Sequence, residues 1–72
     1  MTLTINPEIY RNLLINAMPK VIGTEADYQH ALQEFEKLHV NRSRNPEELA
    51  LYRLLVLLIE TYEEKHFPFP FI

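Results

Sequence analysis

At 72 residues, with a formal charge of −3 and no cysteine, the chain has room for one small domain. It has no means of stapling that domain with disulfides or thiolate-bound zinc, so oligomerisation is the support that remains open to a chain this short. Seven Lys and Arg against ten Asp and Glu give no basic face of the kind a stand-alone nucleic-acid binder carries.

The first element opens at Asn6-Pro7-Glu8, an N-cap, a proline at the first helical position and an acid in the first turn. Ile9, Tyr10, Leu13, Leu14 and Ala17 then recur on one face until Pro19 stops the helix, so the spacing predicts a helix over 7–17. Met18–Gly23 is a connection and holds the only glycine. Thr24-Glu25-Ala26-Asp27 resembles a capping box in which Asp27 replaces the usual Glu. From there Tyr28, Ala31, Leu32, Phe35 and Leu38 predict a second helix over 25–39.

After a short connection at Asn41–Asn45, the strongest start signal is Asn45-Pro46-Glu47-Glu48, which opens a third helix over 46–65. At 1.5 Å per residue that helix is about 30 Å long. Its centre reads LALYRLLVLLI from Leu49 to Ile59. Leu51, Leu54 and Leu58 fall on one side, and Tyr52, Leu55, Val56, Ile59 and Tyr62 widen the apolar arc to about 200°, twice that of an ordinary surface helix. One small helical layer is not expected to cover so much apolar surface. The expectation is therefore an all-α, three-helix module that forms a homodimer, intertwined or helix-packed, with the third helix at its centre.

The last seven residues, His66–Ile72, place Phe67, Phe69 and Phe71 around Pro68 and Pro70. Each Phe before a Pro is pushed out of the helical region, so the tail is extended and strongly apolar. Leu51, Leu54, Leu55, Leu58, Ile59, Tyr62, Phe67 and Phe69 are the residues expected at the interface between chains.

Reactive chemistry has little material. Glu36-x-x-His39 and Glu63-x-x-His66 have the Glu-x-x-His spacing used by di-iron helical bundles. Both histidines, however, sit in the last turn of their helices, where a cation also favours the helix end. They read as capping or surface groups, and no metal site is expected. His30 and Glu34 stand at i, i+4 and read as a surface ion pair. Ser43 lies in a loop without a Gly-rich elbow, and one glycine cannot build a phosphate-cradling loop. Glu47-Glu48 starts a helix before it is an acid–base pair, Arg42 and Arg44 read as a solvated linker, and the four tyrosines fall at core spacing. The expectation is no enzyme, no catalytic residue and no cofactor. No basic and apolar leader follows Met1, and the longest uninterrupted apolar run, Leu54–Ile59, is six residues against the ~20 that span a bilayer. A cytoplasmic location away from membranes is expected.

Three stretches carry a family likeness: Pro19-Lys20-Val21-Ile22 with Thr24-Glu25 and Tyr28; Asn45-Pro46-Glu47-Glu48; and Leu54-Leu55, Leu58-Ile59-Glu60 and Tyr62-Glu63-Glu64-Lys65-His66-Phe67-Pro68. Together they resemble the N-terminal region of HigA-type antitoxins, bacterial transcription regulators of toxin–antitoxin pairs. The block ending Tyr-Glu-Glu-Lys-His-Phe-Pro is its most specific part. In that family a helix-turn-helix domain follows this region and binds the operator. Here the sequence stops at Ile72, so the family's DNA-binding residues have no positions to fall on, and no direct DNA binding by this chain alone is expected. What the resemblance implies is self-association and contact with a cognate toxin protein. A free-standing helical scaffold with an unrelated partner is the other reading. Fragment, shortened gene product and natural stand-alone module all stay open.

Overall fold

A computed structural model of the chain describes residues 4–67. It contains α1 (Pro7–Ala17), α2 (Glu25–His39) and α3 (Pro46–His66), and no strand among the described residues.

Each helix begins where its cap is. The Asn6 side chain accepts from the backbone N–H groups of Glu8 and Ile9 at 2.9 and 3.3 Å, satisfying two donors that have no partner inside α1. Thr24 Oγ1 accepts from Asp27 N–H at 3.1 Å. Asp27 does not close the reciprocal box onto Thr24. Its shorter side chain accepts instead from Gly23 N–H, one residue earlier, at 3.2 Å. At α3 the box is complete, because Glu48 has the length Asp27 lacks: Asn45 Oδ1 accepts from Glu48 N–H at 2.7 Å, and Glu48 Oε1 accepts from Asn45 N–H at 3.0 Å. Pro7 and Pro46 occupy first-turn positions, where no N–H is needed.

The end of α1 is less regular. Met18 closes it in the left-handed region, at φ 48° and ψ 55°, with its N–H bonded to Leu14 O at 2.7 Å. A glycine is the usual occupant of that conformation. The only glycine lies five residues on and does not have positive φ. Pro19 forbids further helix, so the turn is made by the residue that happens to precede it.

Packing is organised around α3. Asn6 N–H bonds Glu47 at the start of α3, while Ala17 packs near Leu55 half-way along it, so α1 runs in the same direction as α3. Helix α2 returns antiparallel: Tyr28 meets Tyr62 near the far end, and Phe35 stacks on Tyr52 at 5.1 Å nearer the beginning. One part of the core joins Ala17, Leu38, Leu51 and Leu55; the other joins Ile22, Ala31, Ile59 and Tyr62. Ile22, from the α1–α2 connection, covers the half of α3 that α1 does not reach.

Several polar residues have different jobs from those their spacing suggests. His30 does not pair with Glu34. Its Nε2 donates to the Ala17 carbonyl at 2.8 Å, satisfying an acceptor at the end of α1, and Glu34 pairs with Lys37 at 2.9 Å. Arg44 is not a solvated linker residue. Its guanidinium donates to Leu38 O at 2.7 Å and Asn41 O at 3.2 Å and lies 4.3 Å from the centre of the Tyr52 ring, so it holds the end of α2 against α3. Arg42 is exposed.

Candidate interaction surface

The apolar arc of α3 divides into a covered and an uncovered part. Leu51, Leu55, Ile59 and Tyr62 lie in the chain's own core, Leu55 at 1% exposure. These four were expected between chains, but one chain by itself already buries them. Helices α1 and α2, with Ile22, cover them within one copy, and no intertwining is needed to bury them. Leu54 and Leu58 are half-buried, at the seam where α1 and the connection meet α3. Phe67 is 57% exposed, with its ring 6.3 Å from that of Tyr28. Phe69 lies outside the described residues.

Hydrophobicity alone passes over the opposite face of α3. Leu57 is 61% exposed in the middle of the longest helix; Val56 beside it is half-exposed, as are Leu49 and Ala50 two turns earlier. At 100° per residue, Leu49, Arg53, Val56, Leu57, Glu60 and Glu64 form one stripe pointing away from the core positions. The signal that marks it is this spacing of apolar and charged residues opposite the core. The leucines of the core are equally hydrophobic, so leucine content does not separate the two faces. Alongside the stripe, a shallow groove of about 260 Å³ runs between α2 and α3, lined by Leu32, Phe35, Val56, Ile59, Glu60 and Glu63. Ile9, Ile15, Met18, Val21 and Val40 add further exposed apolar side chains on α1 and the connections.

The polar groups near these surfaces are structural. Glu63, in the tail-proximal turn of α3, is not solvated on its own; it accepts from the Tyr28 hydroxyl at 2.5 Å. That bond and partial burial raise the Tyr28 pKa from 10.0 to about 12, because ionising the phenol would set two negative charges in contact. His39 Nδ1 lies 3.0 Å from the Tyr52 hydroxyl, and its ring stacks on Phe35 at 5.3 Å; His66 stacks on Tyr62 at 4.2 Å. Among the described residues no three His, Asp or Glu side chains gather as a metal site. The hollow beneath the α1–α2 connection, against Ala17, His30, Leu55 and Leu58, holds about 20 Å³, room for one water. No described helix is long and apolar enough to cross a membrane. The exposed side chains of this surface offer apolar contact.

Comparison with known protein families, with curated proteins and with solved structures found no match for this chain.

Proposed function

We propose that this chain is an association module of the antitoxin type, which joins copies of itself and presents a surface to a partner protein. The observation that carries this reading is Leu57, 61% exposed beside the half-exposed Val56 after the three helices have packed. Burying one Leu-sized side chain gains roughly 1.5–3 kcal/mol, so covering Leu57 and its neighbour Val56 with another surface favours association. The resemblance to the N-terminal region of HigA-type antitoxins supplies the biological setting, a bacterial toxin–antitoxin regulator. The cognate toxin is then the partner, and the cytoplasm the location. The chain acts by contact, with no enzymatic step and no cofactor.

Sedimentation equilibrium tests the first half of the reading. The expected mass is at least twice the 8.6 kDa of one chain, and a monomer at micromolar concentration refutes it. The second half is tested with the reading frame adjacent to this gene. If its product arrests growth and co-expression of this chain relieves the arrest, the antitoxin setting holds. A self-associating chain with no such neighbour is instead the free-standing scaffold.

A further inference from the structure

Arg53 and Glu60 are exposed charges on the outer stripe of α3, seven residues apart, and neither takes part in a hydrogen bond or ion pair among the described residues. Their own helix cannot neutralise them. The neighbours of Arg53 one turn away are Leu49, Ala50, Val56 and Leu57, all apolar; those of Glu60 are Val56, Leu57, Glu63 and Glu64, which supply no cation and two like charges. The two lone charges therefore bracket the apolar pair Val56–Leu57 at equal distances along the helix, one of each sign.

We propose that this stripe docks onto the same stripe of a second copy, with the two α3 helices antiparallel about a two-fold axis that passes between Val56 and Leu57. In that arrangement Arg53 of each copy faces Glu60 of the other, so one axis makes two ion pairs. Val56 and Leu57 of each copy pack against their counterparts at the centre. Ala50, small and half-exposed, lets the backbones approach. Glu64 falls opposite Leu49 at the end of the contact, with its carboxylate in solvent. A parallel pairing is disfavoured, because it sets Arg53 against Arg53 and Glu60 against Glu60. The charges contribute register and orientation, and the apolar centre contributes most of the affinity. This inference rests on the self-association proposed above and adds the face and direction through which the copies meet.

The test is a charge exchange on the full chain, read by sedimentation equilibrium, with circular dichroism to show that each variant folds. Both positions are solvent-exposed, so the helices should survive the changes. Arg53→Glu and Glu60→Arg should each weaken the dimer on the order of tenfold, since each reversal turns two attractive pairs into repulsive ones. The double variant Arg53→Glu/Glu60→Arg, with both signs exchanged, should recover affinity to within about threefold of the original. A dimer indifferent to either reversal meets through another face, which overturns this geometry and leaves self-association standing. Reversals that weaken the dimer without recovery in the double variant overturn it as well, because the charges then do not face each other. A chain that is monomeric before any substitution removes both readings.

Discussion

Glu47 is the one charged side chain that the fold buries among the described residues, at 5% exposure, and its carboxylate has a specific task. It sits in the first turn of α3, where the helix dipole favours an anion, and accepts from Asn6 N–H at 2.6 Å, tying the start of α1 to the start of α3. Glu47→Ala should destabilise the chain by about 1–2 kcal/mol in a denaturant titration, since it removes a charged acceptor and leaves a donor unpaired. An unchanged midpoint and slope would mean that α1 is held by packing alone. Tyr28 ties the other end. Its pKa is raised in the folded chain, so the stability it adds is fully present below pH 10 and is lost as pH rises from 10 towards about 12, where the unfolded chain releases its proton first. Tyr28→Phe should flatten that alkaline decline and lose the bond to Glu63 at neutral pH. Thermal melts of both chains from pH 8 to 12 check the sign, and parallel curves would show that other tyrosines cause the decline. Asp27 works in the opposite direction. The Gly23 N–H and the Lys20 ammonium hold its carboxyl below the usual value, so its contribution is present at neutral pH and lost in acid.

At the level of the helix, α3 carries leucine on its buried face and on its exposed one, with different roles. Leu55 is fully buried and belongs to the core shared with Ala17, Leu38 and Leu51. Leu55→Ala should cost about 2–5 kcal/mol through lost burial and the cavity left behind. Leu57→Ala should change the stability of the dilute monomer by less than about 0.5 kcal/mol. Urea titrations at low concentration separate the two, and equal costs would show that Leu57 is covered within its own chain. The ends of α1 and α3 were legible from Asn6-Pro7 and Asn45-Pro46 because capping is local chemistry, set by a side chain and the two or three N–H groups that follow it. The role of Arg44 was not legible, because the carbonyls at the end of α2 and the Tyr52 ring come together only when α2 packs on α3.

For the molecule as a whole, the charge pattern bears on nucleic acid. The net charge is −3. Of the arginines, Arg11 pairs with Glu8 at 2.6 Å and Arg44 is bonded to the end of α2. Affinity for DNA comes from several cations acting on neighbouring phosphates, and these are not gathered. In a mobility-shift assay at physiological salt this chain alone should retain no operator fragment, and sequence-specific retention would overturn that expectation. The outer face of α3, by contrast, exposes Leu57 beside the half-exposed Val56, which fits the protein partner proposed above better than a phosphate backbone.

The periods of the apolar residues and the proline and asparagine punctuation determined the three helices of the described residues, because helix type and helix ends depend on neighbours a few residues away. The same residues mark the side of α3 that carries Arg53, Glu60 and Glu64 as the outer one. Leu51, Leu55 and Ile59 lie a turn apart on a wholly apolar face, but the spacing does not say how much of the wide apolar arc around them one copy of the chain covers. Only the tertiary structure decided that. Helices α1 and α2 have one narrow apolar face each and reach round α3 from two adjacent sides, aided by Ile22. That covers most of the arc and leaves the side bearing Leu57 open. Burial is a property of what lies across the gap, at sequence separations that no local pattern encodes.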